Sequence, residues 1–152
     1  MTPPFILALI DRAHTENWGV LDLMGKKLTE VPPEIGRLTQ LEALDLSFNP
    51  ITVIPETITQ LTNLATLRID SCNIAIVPDT IAQLTNLTRL NLCANQIALV
   101  PDAIKQLTNL TTLYLKNNPI QNLPPEIIRK GWGEHESADG EPQVIFAYLK
   151  SG

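Results

Sequence analysis

The chain repeats itself with a period of 23 residues. Leu41, Leu64, Leu87 and Leu110 mark the period, and one step back from Leu41 falls on Trp18. Each is followed by the same phrase: LEALDLSFNPI, LATLRIDSCNI, LTRLNLCANQI and LTTLYLKNNPI, with WGVLDLMGKKL as a degenerate first copy. The middle of the phrase alternates apolar and polar residues, the period of a half-buried strand. Leu44 and Leu46 then face inward, and Ala43, Asp45 and Ser47 face outward. One copy cannot bury its apolar side alone, so copies must stack and share a core. In such a chain the buried side is fixed by the period, and function has to lie in the positions that break it.

The second half of each copy is equally regular. Pro32, Pro55, Pro78, Pro101 and Pro124 recur at the same interval, each preceded by an aliphatic residue. Proline fixes φ and supplies no donor, which suits a turn into a short helical arc. Glu34, Glu56, Asp79, Asp102 and Glu126 place negative charge at the start of each arc, where the helix dipole favours it. Ile35, Ile58, Ile81, Ile104 and Ile127 follow as inward residues, and Leu38, Leu61, Leu84 and Leu107 close the copies. The phrase L-x-x-L-x-L-x-x-N-x-I resembles the signature of leucine-rich repeats. The expected fold is therefore α/β: a leucine-rich-repeat solenoid of five repeats, with a parallel sheet on the concave face and short helical or 3-10 arcs on the convex face. At a strand spacing of about 4.8 Å the sheet is roughly 20–25 Å wide and only slightly curved.

The pattern decays at both ends, as capping of a solenoid requires. Residues 4–17 read as an amphipathic helical cap, with Phe5, Ile6, Leu9 and Ile10 lying over the first repeat. Residues 18–130 hold the five repeats, with Trp18 in place of the first leucine and Lys26 in place of the asparagine. Lys130 stands where leucine is wanted, and residues 131–143 read as a polar, acidic loop. Residues 142–150 form a C-terminal helical cap whose Val144, Ile145, Tyr148 and Leu149 cover the last repeat. All of this is one domain of 152 residues.

Charge and composition exclude several classes. A formal charge of −5 and a pI near 4.9 oppose a nucleic-acid partner, which needs a basic patch. The apolar run Phe5 to Ile10 is too short for a signal-peptide core, and nothing reaches the length of a membrane span. The expectation is a cytoplasmic protein without membrane partners. Its sequons, at Asn86 and Asn109, are by-products of the repeated LTNL phrase. Cys72 and Cys93 are expected to be free thiols. Cys72 fills the slot of Asn49, Asn95 and Asn118 and points inward, whereas Cys93 sits at an outward strand position.

Little in the chain suggests chemistry. His14 and His135 lie in opposite flanks, and no CxxC, HExxH, GxSxG or glycine-rich phosphate loop is present. The chain reads as no enzyme, with no cofactor and no metal. Glu134, His135, Glu136 and Asp139 match no established cation spacing and read as a solvated loop. Trp132, in the same loop, packs on the last repeat or anchors a partner.

The outward columns of the sheet hold the candidates. The first is Val20, Ala43, Thr66, Arg89 and Thr112; the second is Asp22, Asp45, Arg68, Asn91 and Tyr114; the third is Met24, Ser47, Asp70, Cys93 and Lys116. Phe48 lies just beyond. Arg68 flanks Asp45, with Asp70 diagonal to it, so one reading is a self-neutralised polar surface. The other is a partner-binding face made of Asp45, Phe48, Arg68, Asp70, Arg89, Asn91, Tyr114 and Lys116, in which arginine and aromatic residues are the types expected at contacts. These columns offer fewer residues than the roughly 20–30 per side of a standard interface.

A finer resemblance rests on three stretches: LDLMGKKLTEVPPEIGRLTQLEALDL, the proline–isoleucine arcs after it, and NPIQNLPPEIIRKG followed by VIFAYLKSG. They resemble the 23-residue repeats of Ras-group-related and bacterial Roco proteins. In Roco proteins a similar segment joins the repeats to a Ras-like GTPase domain, which implies a regulatory or partner-recruiting module. The stretch from Trp132 to Gln143 departs from that family by its length, and no GxxxxGK[ST] occurs here. The resulting expectation is a non-catalytic module that binds a protein partner on its concave face. The alternative is a structural unit that self-associates as a weak homodimer through that face or an end cap.

Overall fold

The computed structural model describes residues 2–124 and 142–151. Five three-residue strands, β1 (Val20–Asp22), β2 (Ala43–Asp45), β3 (Thr66–Arg68), β4 (Arg89–Asn91) and β5 (Thr112–Tyr114), form one parallel sheet in the order β1-β2-β3-β4-β5. The register advances one repeat per step, so Leu21, Leu44, Leu67, Leu90 and Leu113 stand side by side. Parallel neighbours need a long crossover, and here each is supplied by a turn, an extended segment and a 3-10 arc. The described arcs are Pro33–Arg37, Glu56–Gln60, Asp79–Gln83 and Asp102–Gln106. The arc expected after Pro124 lies outside the described residues.

The interior is a set of parallel ladders. Leu41, Leu64 and Leu87, the inward strand leucines and the arc isoleucines Ile35, Ile58, Ile81 and Ile104 are fully or almost fully buried in one continuous cluster. The asparagine slot ties adjacent copies together. Asn49 accepts a hydrogen bond from the Leu28 N–H (2.9 Å) and donates to the Leu23 and Leu46 carbonyls (2.8 Å each). Asn95 and Asn118 repeat the arrangement. Asn63, Asn86 and Asn109 donate to the carbonyls of Thr39, Thr62 and Thr85 in the preceding copy, which gives the LTNL phrase a structural purpose.

Each strand is ended by a left-handed residue. Gly25, Phe48, Ser71, Ala94 and Asn117 occupy equivalent positions, with φ of 65°, 58°, 55°, 51° and 58°. Glycine suits that conformation, and a side chain there is unfavourable. Nothing in the amino-acid pattern announces it, because only the first copy has the glycine.

The N-terminal helix α1 (Pro4–Thr15) covers the first repeat with Ile6, Ile10 and Ala13 buried and Leu9 partly so. Phe5, expected on that face, is 59% exposed instead. At 3.6 residues per turn it points about 100° away from the line of Ile6, Ile10 and Ala13. Trp18 is partly buried, its Nε1 donating to Glu16 (2.9 Å) with Arg12 over its ring. The C-terminal helix α2 (Pro142–Ser151) lies by the fourth arc, and the Lys105 ammonium donates to the Leu149 carbonyl (3.2 Å). It buries Ile145 and Phe146 and partly Leu149. Tyr148 was expected on this face but is 41% exposed, since Phe146 shifts the seat toward the other side of the helix. Trp132, Lys130 and the acidic residues Glu134 to Asp139 lie outside the described residues. Among the described residues no helix is long and apolar enough to cross a membrane.

Candidate functional site on the concave sheet

The second outward column shows what the repeat uses its polar residues for. Asp22 accepts from the Met24 N–H (2.8 Å), Asp45 from the Ser47 N–H (2.9 Å) and Asn91 from the Cys93 N–H (3.1 Å). Each side chain caps the backbone two residues on, the familiar habit of Asp and Asn in turns. Arg68 and Tyr114 occupy the same column and cannot accept in this way. They are departures from the structural pattern, and both stand on the middle-to-late strands.

Around Arg68 the structure builds a polar network. Its guanidinium lies 3.3 Å from Asp45 Oδ2 and 3.8 Å from Asp70 Oδ1. Asp70 also accepts from the Ser47 hydroxyl (2.7 Å) and the Asn91 amide (2.8 Å). Only 8% of Asp70 is exposed and Ser47 is fully buried, so these two members of the third column do not face solvent as their register predicted, whereas Met24 and Lys116 do. Thr112 of the first column is buried as well. Ser47 and Asp70 are bonded to each other, and Asp70 also to Asn91 and Arg68, across neighbouring strands, which the alternation of residues does not reveal. Asp70 is a buried charge held by hydrogen bonds, and it offers a partner almost no surface.

Beyond this network a concavity of about 600 Å³ opens on β3 to β5, lined by Thr66, Leu67, Arg68, Arg89, Asn91 and Tyr114. Of the eight sheet residues singled out by sequence, four line it: Arg68, Arg89, Asn91 and Tyr114. Arg89 is exposed, and its side chain makes no hydrogen bond or ion pair among the described residues. Asp45 lies on the neighbouring shallow hollow over β1 to β3. Phe48 and Lys116 line neither. Phe48 is 58% exposed and carries its ring on a left-handed residue.

Both cysteines are free thiols. Burial pushes Cys93 up to about 11 and raises Cys72 as well, so neither is a thiolate at neutral pH. Among the described residues no group of three His, Cys, Asp or Glu side chains is placed to hold a metal ion. The hollow offers binding groups: a fork of donors on Arg89 and a ring on Tyr114, beside an Asn91 amide already bonded to Asp70 and the Cys93 N–H.

Residues 20–95 match the family model of a leucine-rich repeat region, and residues 85–127 match that of leucine-rich repeats in two copies. No curated protein matches the sequence. Among solved structures, a leucine-rich repeat protein of Leptospira interrogans is 32% identical at a TM-score of 0.61, over 77% of this chain and 36% of its own. Internalin C2 of Listeria monocytogenes is 30% identical at 0.65, over 74% of this chain and 49% of its own. An internalin F of the same organism is 31% identical at 0.56, over 65% and 29%. The chain thus spans less than half the length of each of these proteins. Two overlapping family models that together span residues 20–127, and a five-stranded parallel stack in the same register, lead to one conclusion: the chain belongs to the leucine-rich repeat family.

Proposed function

We propose that this chain is a non-catalytic protein-binding module that receives its partner on the concave sheet. Arg89 carries the reading. It stands at the hollow of β3 to β5, exposed, with no ion pair among the described residues, beside an arginine whose charge is already shared between Asp45 and Asp70. A guanidinium presents a planar fork suited to a carboxylate, so the partner brings an acidic side chain to Arg89 and apolar or aromatic surface to Tyr114. Phe48 supplies an outlying apolar contact. A bulky residue kept at positive φ without burial is strain that packing does not explain, and such outliers cluster at functional positions.

The finer reading keeps the module in the cytoplasm, as a recruiting part of a signalling protein of Roco type. Its support is the resemblance of the repeats and of the segment NPIQNLPPEIIRKG, together with two unpaired thiols. Self-association through the concave face is the rival, and sedimentation of the purified chain over a hundredfold concentration range separates them.

The test is differential capture from a cell lysate by the wild-type chain and by Arg89→Glu/Tyr114→Ala, with circular dichroism to check that both fold. A protein retained by the wild type and lost by the variant supports the concave site. Equal retention by both refutes it.

A further inference from the structure

A second surface breaks the polar pattern, on the flank where the chain leaves the turn and enters the arc. Val53, Ile76 and Leu99 occupy one repeat position and are 64%, 75% and 59% exposed. The same position holds Glu30 in the first repeat and Asn122 in the fifth. The backbone there accepts a polar residue, and Asn122 even bonds both the N–H and the carbonyl of Val100 (2.9 and 2.8 Å). The repeat therefore does not require three aliphatic side chains in a row, nor does burial account for them.

Beside this row runs a second one. Glu56, Asp79 and Asp102 follow each aliphatic residue by three positions and are exposed at the start of the arcs. Asp102 is paired with Lys105 (3.2 Å). Glu56 and Asp79 make no side-chain hydrogen bond or ion pair among the described residues. Past Asp79 and Asp102 a groove of about 600 Å³ continues between the third and fourth arcs, lined also by Gln83 and Gln106.

We propose that this flank docks a basic amphipathic helix of a protein partner, with its apolar stripe on Val53, Ile76 and Leu99 and its lysine or arginine stripe on Glu56 and Asp79. Spacing selects the helix. Adjacent repeats lie about 4.8 Å apart, and the turns of a helix recur every 5.4 Å. Over the three rows these drift apart by about 1 Å, whereas alternate residues of a strand, about 6.7 Å apart, drift by about 4 Å. Charge selects the basic partner: an anionic membrane surface is repelled by the acidic row. A second copy meeting this flank with its own flank sets acidic row against acidic row, and Lys105 there is already paired with Asp102.

The probe is a fluorescein-labelled 18-residue peptide with leucine at helical spacing and flanking lysines, followed by fluorescence anisotropy at 50 and 200 mM salt. A control peptide carries glutamate for every lysine. The wild-type chain is expected to bind the lysine peptide and not the glutamate peptide. Ile76→Ser, a surface change that leaves circular dichroism unaltered, weakens binding about tenfold. Glu56→Gln/Asp79→Asn weakens it too and flattens the salt dependence. Arg89→Glu, which disables the concave site, leaves this affinity as it was, so the two readings fail separately. Equal binding of both peptides, no binding of the lysine peptide, or indifference to Ile76→Ser overturns the proposal. So does self-association of the wild type that Ile76→Ser abolishes, since a second copy then covers the row.

Discussion

Cys72 gives the sharpest test of how the repeats are tied together. In the equivalent slot Asn49 and Asn95 each accept one backbone N–H and donate to three carbonyls, the two shorter at 2.7–3.1 Å. Cys72 offers only long sulfur contacts, 3.5 Å to the Leu46 and Asp70 carbonyls. By repeat position, Cys72→Asn accepts from the Ile51 N–H and donates to the Leu46 and Ile69 carbonyls. The turn is ready for it, because φ at Ser71 (55°) lies between those at Phe48 (58°) and Ala94 (51°). Each bond contributes about 1 kcal/mol net. Against this stand the lost sulfur contacts and the cost of burying a more polar side chain, together about 1–2 kcal/mol. The variant should be more stable by about 1–2 kcal/mol, which for a chain of this size is a rise in Tm of roughly 2–8 °C. Urea unfolding followed by circular dichroism measures it, with an unchanged m-value showing that the unfolded state is unaffected. A midpoint equal to or below that of the wild type, with m unchanged, refutes the equivalence of the slots. It means the turn around Ser71 has closed on the sulfur and no longer admits an amide.

Three further outcomes follow from particular groups. Asp70→Ala leaves the Ser47 hydroxyl and Asn91 amide without their acceptor, and urea unfolding should show a loss of about 2–3 kcal/mol; a loss under 0.5 kcal/mol would make the network a surface ornament. The Cys93 thiol is raised from 9.0 to about 11, chiefly by burial. Its folded form thus favours the proton, so this stability is complete below about pH 9 and is lost as pH climbs through 11. Iodoacetamide labelling of the native chain should rise only above pH 10, and half-maximal labelling of Cys93 near pH 9 contradicts the burial. The Thr57 and Thr80 hydroxyls are buried without a hydrogen-bond partner, in the slot that Ala103 fills in the next repeat. Valine at each site should stabilise by about 0.5–1 kcal/mol, and a drop in the urea midpoint would reveal a partner for the hydroxyl.

The fold was legible because a 23-residue period leaves few arrangements of the inward residues. Leu44, Ile58 and Leu61 are each repeated in register, and stacking is the one way to bury all of them. The outward side was legible only by parity. Alternation placed Arg68, Arg89 and Tyr114 on the sheet face, where they are, and it also placed Ser47, Asp70 and Thr112 there, where they are covered. Met24 and Lys116 share the column of Ser47 and Asp70 and stay exposed, so parity along the strand does not decide it. Neighbours do: Ser47 and Asp70 are bonded to each other, and Asp70 also to Asn91 and Arg68. Phe5 and Tyr148 were misjudged for a related reason. A helix of 12 or 10 residues with several apolar side chains has more than one possible seat, and only the neighbour decides between them. The row of Val53, Ile76 and Leu99 was in plain view at the repeat spacing. By sequence alone it is indistinguishable from core, because an apolar residue at a repeat position reads the same whether it faces inward or outward.

The network around Arg68 also decides how the concave face should be weighed. An arginine among candidate contact residues draws attention first, yet the guanidinium of Arg68 is half-exposed and already shared between two carboxylates, 3.3 and 3.8 Å away. A partner carboxylate approaching it meets Asp45 and Asp70 at nearly the same distance, and the attraction is largely cancelled. Arg89, one strand away, has no such neighbours among its bonds. The two arginines therefore differ in kind: Arg68 braces Asp45 and Asp70 on neighbouring strands, and Arg89 is left to recognise. Arg68→Ala should lower stability more than affinity, and Arg89→Ala should do the reverse. This division follows from their places on the sheet: Arg68 is paired in register with Asp45 and lies near Asp70, whereas Arg89 stands between Thr66 and Thr112.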